Sequence, residues 1–167
     1  LRGIVLDMVD LYVINRKEAA QALLSLPLWM RRGTFGGNVP PYKGLFGEEG
    51  GASWHVEGDG AEYSLEDLLV ETVLAEALLL PTAPQLPLYY SSLLREIVSA
   101  APQQVAPSLG RTMRRLHAAS GAARVDGEVL RRLADWFSVH LSNFNFTWAW
   151  PEWAGDASLP WTHAQRA

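Results

Sequence analysis

The histidines are the first residues to consider for chemistry, because imidazole binds metals and transfers protons near neutral pH. They are His55, His117, His140 and His163, and no two of them lie three or four residues apart. Two ligands on one helix face need that spacing, and the chain has no cysteine to supply a thiolate. The sequence therefore predicts no metal site and no cofactor.

Other catalytic patterns are also missing from the sequence. The glycines between Gly33 and Gly37 lack the preceding strand, the lysine and the following helix of a phosphate-binding loop. No serine lies in a Gly-x-Ser-x-Gly turn. Glu66 and Asp67 fall in the first turn of a predicted helix, where the helix dipole accounts for them. We therefore predict that the chain is not an enzyme and has no small-molecule substrate.

The densest chemical feature is an aromatic segment between residues 136 and 153. A segment of that density is either buried or part of a binding surface. Trp148 and Trp150 can be interpreted as a pair that sandwiches a methylated purine by stacking and charge attraction. They can also be interpreted as packing residues that anchor the chain after a helix. We favour packing and keep direct binding of a base as the alternative.

His140 and Asn143 lie within the same segment. His140 is three residues after Phe137, beside the apolar stripe of a predicted helix. We expect a buried imidazole that is hydrogen-bonded to a backbone carbonyl or to Asn143. Asn143 itself is expected to cap the end of the helix or to fix the turn that follows.

Three arginines form the candidate binding face. Arg111, Arg114 and Arg115 share one side of a predicted helix, because residues three and four apart are neighbours there. They can contact an acidic partner or an RNA backbone, or they can be an ordinary solvated face. Residues 44–94 hold nine acids and no Lys or Arg, whereas residues 95–132 hold seven arginines. This asymmetry suggests partners of different sign, although solvated helix faces also show it.

Helical periodicity dominates the chain and gives the fold class. Five helices are predicted, over residues of about 4–26, 64–80, 88–101, 103–121 and 126–144. Ser64 and Asp126 are predicted N-caps. Residues 33–62 hold nine glycines and two adjacent prolines, which predicts a flexible insertion. No strand is predicted, so the class is all-α, with antiparallel helix pairs stacked as an ARM/HEAT-like superhelix.

The predicted organisation has two parts. Residues 1–63 are a leading helix and the glycine-rich loop, and residues 64–167 are a helical-repeat domain that is cut short at its C-terminal end. The chain starts with Leu1 and ends without a closing element, which indicates a piece of a longer protein. No uncharged apolar stretch is long enough for a membrane span, so we expect a soluble intracellular protein with no membrane contact.

The order of residues in the aromatic segment resembles the large subunits of the nuclear cap-binding complex. The residues that carry this resemblance are Trp136, Phe137, His140, Asn143, Phe144, Trp148, Trp150 and Trp153. Matching order continues through Asn15 to Ala20, Leu23 to Pro27, Leu69 to Leu74, Leu80 to Pro84, Tyr89 to Leu94 and Val105 to Arg111. The resemblance implies the second of three helical-repeat domains, similar to the middle domain of translation-initiation factor four-gamma, with the linker before it.

The resemblance also implies a function. In that family the small subunit, an RNA-recognition-motif protein, stacks the methylguanosine cap between its own aromatic residues, and the large subunit holds it in place. This chain is then expected to be a non-enzymatic scaffold that docks the small subunit and contacts capped RNA indirectly. The expected place is the nucleus, and the expected processes are mRNA splicing, export and nonsense-mediated decay. The alternative is direct binding of the cap or of single-stranded RNA through Trp148 and Trp150.

Overall fold

The computed structural model describes residues 1–31, 33–36, 63–122 and 124–166. Within these residues the chain forms seven α-helices, one 3₁₀ helix and two very short strands. The helices are α1 (Arg2–Leu11), α2 (Arg16–Leu24), α3 (Leu26–Trp29), α4 (Leu65–Ala77), α5 (Pro87–Ala100), α6 (Pro102–Gly121) and α7 (Gly127–Asn143). The strands are β1 (Phe35–Gly36) and β2 (Tyr63–Ser64), and the 3₁₀ helix spans Trp150–Ser158.

The prediction of one long helix from Ile4 to Leu26 is wrong. The chain breaks after α1, and Asn15 starts α2 by accepting a hydrogen bond at its Oδ1 from the Glu18 backbone N–H, at 3.3 Å. Ile14, which the periodicity placed on the apolar stripe, is fully exposed at the break. Pro27 does not end a helix either. It lies in the first turn of α3, where a missing N–H costs no hydrogen bond.

The four later helices form where they were predicted. Ser64 caps α4 by accepting the Asp67 backbone N–H at 3.1 Å, and Asp126 caps α7 by accepting that of Glu128 at 2.8 Å. Pro102 begins α6, and Pro107 lies inside it. The caps satisfy backbone donors that a helix start otherwise leaves free, which explains why these boundaries are visible in the sequence.

The prediction that the chain has no strands is wrong, because β1 and β2 form a small parallel sheet. Phe35 pairs with Tyr63 and Gly36 with Ser64, and the backbone N–H of Tyr63 donates to Thr34 O at 3.2 Å. Two residues per strand are too few to show an alternating pattern in the sequence. The predicted flexible insertion falls, from residue 37 to residue 62, outside the described residues.

The hydrophobic core centres on α5. Its buried face contacts α2, α4, α6 and α7, and α1 packs on α4. The fully buried side chains of α5 include Tyr90, Leu93, Leu94 and Ile97. The all-α class is confirmed, since the only strands among the described residues are the two-residue pair.

Residues on both sides of the predicted boundary at residue 63 belong to one core. Val5 and Val9 of α1 and Leu23 of α2 are in the same cluster of buried side chains as Leu69 and Leu93. A shared core does not by itself say where a folding unit begins along the chain. The division into residues 1–63 and 64–167 stays a prediction.

Two leucines of α5 test the position of this core. Leu93 is fully buried and Leu88 is 70% exposed. We expect Leu93→Ala to lower the free energy of unfolding by roughly 2 to 5 kcal/mol, because it removes buried methyl groups and leaves a cavity. Leu88→Ala should lower it by less than about 0.5 kcal/mol. Urea denaturation of both variants measures the difference, and equal losses would contradict the packing described for α5.

Candidate functional site

The candidate site is built on α7 and the residues that follow it. Trp136 and His140 are both buried, and their rings stack with centroids 5.0 Å apart. Phe144 continues the column, 4.8 Å from the His140 ring. The spacing of four residues places all three on one face of the helix and its end. The first half of the aromatic segment is therefore a packed column.

The burial of His140 confirms one expectation, and its hydrogen bonding corrects another. Its Nδ1 has no hydrogen-bond partner in the part of the chain that the structure describes. The side-chain Nδ2 of Asn143 instead donates a hydrogen bond to Val139 O, at 2.8 Å, and so caps a carbonyl of the last turn of α7. Burial lowers the pKa of His140 from 6.5 to about 4. The imidazole is thus neutral in the folded protein near pH 7.

A tight turn after α7 folds the chain back. Asn145 and Phe146 have φ angles of 54° and 55°, in the left-handed region, and the Phe146 N–H donates to Leu141 O at 2.8 Å. Left-handed backbone is uncommon for residues other than glycine, so a periodic pattern gives no sign of it. The turn brings Trp148 against Phe137 of α7, with ring centroids 5.0 Å apart and an angle of 81° between the planes.

The three later tryptophans have different surroundings. Trp148 is half-buried between Phe137 and Trp153, whose ring is 5.3 Å away. Trp150 is 47% exposed, and its Nε1 donates to Phe146 O at 2.9 Å. Among the described ring contacts, Trp148 and Trp150 are not a pair. This geometry favours packing for Trp148, which was the preferred interpretation.

Trp153, in the 3₁₀ helix, packs against α6. Its ring stacks on His117 with centroids 4.4 Å apart and planes 9° from parallel. The Nε2 of His117 lies 2.8 Å from Asp156 Oδ2, without the alignment of a hydrogen bond. Sequence reasoning missed His117 and Asp156. The only available signal was that His117 follows Arg114 by three residues, on the same face of α6.

The structure places Arg111, Arg114 and Arg115 on α6, and all three are paired within the chain. Arg111 Nη2 lies 2.7 Å from Asp67 Oδ1, and Arg115 Nη1 lies 3.1 Å from Glu71 Oε1. Arg114 makes two hydrogen bonds to Glu152, at 2.6 and 3.0 Å, and its guanidinium carbon is 5.9 Å from the centre of the Trp148 ring.

The ion pairs of Arg111, Arg114 and Arg115 make these guanidinium groups less available to a ligand. Partial burial raises the pKa of Asp67, but hydrogen bonds from Ser108 and Arg111 outweigh that effect and hold the pKa below its ordinary value. The hydrogen bonds from Arg114 likewise lower the pKa of Glu152. A phosphate would have to compete with carboxylates for these guanidinium groups. Use of the face by a partner or by RNA stays a prediction.

Metal binding and membrane insertion are two further properties to consider for the described residues. In that part of the chain, no group of three or more His, Asp or Glu side chains is placed to hold a metal ion. None of the helices described above has both the length and the hydropathy that crossing a membrane requires.

Comparison with known proteins identifies the family. The family described as MIF4G like matches residues 1–167, which is every residue of the chain. The chain belongs to the MIF4G-like family. This membership confirms the prediction of a helical-repeat fold and fits the all-α body described above.

Individual relatives agree with the family assignment. The chain is 35% identical to nuclear cap-binding protein subunit 1 of Schizosaccharomyces pombe over 99% of its own length and 20% of that protein. It is 33% identical to nuclear cap-binding protein complex subunit 1 of Saccharomyces cerevisiae, over 92% of its own length and 17% of that protein. The chain thus spans a fifth or less of these two relatives. The resemblance to large subunits of the nuclear cap-binding complex is confirmed.

The burial of His140 predicts a specific loss of stability in acid. The unfolded chain takes up a proton at this residue below about pH 6.5, whereas the folded protein does so only near pH 4. The free energy of unfolding should therefore fall as the pH drops from 6.5 to 4, by roughly 3 kcal/mol from this residue. His140→Phe, which keeps an aromatic ring beside Trp136 and Phe144, should show a smaller fall. Urea denaturation between pH 7.5 and 4 measures both proteins, and parallel curves would contradict the assignment.

Proposed function

We propose that this chain is a non-enzymatic scaffold segment of a nuclear cap-binding complex. The observation that carries the proposal is the family match over residues 1–167, together with relatives that are named as subunit 1 of that complex. A protein named as one subunit works with another, so a partner is part of the proposal. The nucleus is the proposed location, again from the names of the relatives.

The proposed partner is the small subunit, an RNA-recognition-motif protein that binds the cap itself. The large subunit would hold it in the binding-competent conformation and would contact capped RNA only through it. Support comes from the arrangement of the candidate residues. In the aromatic column, Trp136 and His140 are buried and Phe144 is half-buried, and the arginines of α6 are paired with carboxylates. These are properties of a rigid body that presents a surface.

The proposed processes are those of capped nuclear transcripts: mRNA splicing, export and nonsense-mediated decay. A scaffold can serve all three because it acts on the transcript through the cap rather than through a chemical step. No catalytic group is assigned to the chain in this proposal.

Association with the small subunit tests the scaffold function. We expect the intact protein to form a stable complex with the RNA-recognition-motif subunit, seen as co-elution in size-exclusion chromatography and as a saturable isotherm in calorimetry. Affinity of the pair for a methylated cap analogue should exceed that of the small subunit alone, because holding a site in its bound conformation removes an ordering cost. Failure of the intact protein to associate would refute the proposal.

Direct binding of the cap or of single-stranded RNA is the competing function. Its one supporting observation is Trp150, which is 47% exposed and has an aromatic face on which a base can stack. Trp148, the other half of the expected pair, is occupied by Phe137 and Trp153. The exposed ring by itself would give weak and sequence-tolerant stacking.

Fluorescence separates the two functions. We expect a methylated cap analogue, added to the intact protein without the small subunit, to cause no saturable quenching of tryptophan emission. Trp150→Ala is the control, since it removes the exposed ring and leaves Trp148 and Trp153 in place. Saturable quenching in the parent protein that is lost in Trp150→Ala would favour direct binding over the scaffold function.

A further inference from the structure

The strap, defined as residues 150–166, is attached to the helices by few contacts. It comprises the 3₁₀ helix Trp150–Ser158 and the turns that follow it, and none of its residues is buried. Helices α4, α5 and α6, by contrast, each bury at least five residues. Segments with few buried contacts open at a lower free energy than the core of the same protein. The strap is therefore the part of this region that can detach alone.

Two acids of the strap meet two bases of α6. Glu152 accepts two hydrogen bonds from Arg114, at 2.6 and 3.0 Å, and Asp156 lies 2.8 Å from the Nε2 of His117. The acids are four residues apart on the strap, and the bases are three apart on α6. The two bases thus lie along one face of α6, and both acids of the strap reach that face. The second contact is ionic when the imidazole of His117 carries a proton.

An aromatic contact lies between these two pairs. Trp153 stacks on His117 at 4.4 Å and also approaches Phe137, at 5.8 Å. Further along the strap, Gln165 donates to His117 O at 3.1 Å. A Cβ atom at Gly121 would come within 2.5 Å of the Gln165 side chain, so α6 carries no side chain where the strap crosses it.

The strap forms one wall of an apolar groove of about 620 Å³. The opposite walls come from α6 and α7 and include Met113, Leu133 and Leu141, whereas Trp150 and Trp153 belong to the strap. Detaching the strap removes the tryptophan wall and opens this groove along its length. The position of the strap therefore determines how much apolar surface α6 and α7 present.

We propose that residues 150–166 are a conformational strap, latched onto α6 by the Arg114–Glu152 and His117–Asp156 contacts. The strap opens without unfolding of α4, α5 and α6. Nearly half of the Arg114 and Glu152 side chains is exposed to solvent, and about a fifth of those of His117 and Asp156. The exposed Arg114–Glu152 ion pair is weak and is screened by salt, so a modest change in conditions or a competing charged group shifts the strap between closed and open.

Hydrogen exchange on the intact protein, followed by mass spectrometry of its peptides, tests the latch. In the double variant Glu152→Gln and Asp156→Asn, amides of residues 150–166 should exchange roughly tenfold faster than in the parent protein. Amides of α4, α5 and α6 should keep their protection. The matched control is Glu71→Gln, which removes the ion pair with Arg115 on the same helix but does not touch the strap. It should leave the exchange of the strap unchanged.

Three results would overturn the proposal. Unchanged exchange of the strap in the double variant would mean that the ion pairs do not hold it. Loss of protection in α4, α5 and α6 together with the strap would mean that the strap unfolds only with the core. An equal effect of Glu71→Gln on the strap would mean that the change in net charge, not the latch, is responsible. Raising NaCl to about 0.5 M should speed exchange of the strap in the parent protein more than in the double variant.

Discussion

The burial of α5 is the constraint on which the rest of the structure depends. Its apolar face meets α2, α4, α6 and α7, so these four helices share it as a common packing surface. Leu93, Leu94 and Ile97 have no exposed surface, and each buried side chain of this size contributes roughly 1.5 to 3 kcal/mol to folding. Because α7 packs on α5, the burial of α5 also positions the helix that carries the first half of the aromatic segment.

Part of the uneven charge of the sequence is accounted for by pairing between the neighbouring helices α4 and α6. Asp67 and Glu71 of α4 come from the acidic stretch, and Arg111 and Arg115 of α6 come from the basic one. They pair as Asp67 with Arg111 and Glu71 with Arg115, at a spacing of four residues on both helices. Such partly exposed pairs add little net free energy. Their effect is on register, since sliding α6 by one turn would leave at most one such pair in place of two.

Helix boundaries were predicted most accurately where a capping residue preceded an apolar stripe that the fold buries. Ser64 and Asp126 are capping residues followed by apolar stripes that the fold does bury, so the starts of α4 and α7 were visible. The stripe through Leu11 and Ile14 had the same period, yet both side chains are exposed, because Asn15 starts a new helix that packs on α5. Periodicity alone does not distinguish a continuous helix from two helices joined by a tight turn.

The candidate site was harder to predict because its contacts link residues far apart in the chain. His117 meets Trp153, and Arg114 meets Glu152, across a left-handed turn that neither hydrophobicity nor helix propensity indicates. The residue types were noticed as aromatic and basic, but their partners depend on the direction of the chain after Phe146. That direction is a property of the folded backbone and of the hydrogen bond from Phe146 N–H to Leu141 O.

The packing around Trp148 makes direct binding of a base depend on the position of the strap. A base that stacks on Trp148 must take the place of Trp153, because Phe137 and Trp153 already contact that ring and Arg114 lies 5.9 Å from its centre. Moving Trp153 also breaks its stack on His117. Base stacking at Trp148 and a closed strap therefore exclude each other. Any free energy gained from a ligand at Trp148 is reduced by the free energy of opening the strap, which favours the packed arrangement when no ligand is present.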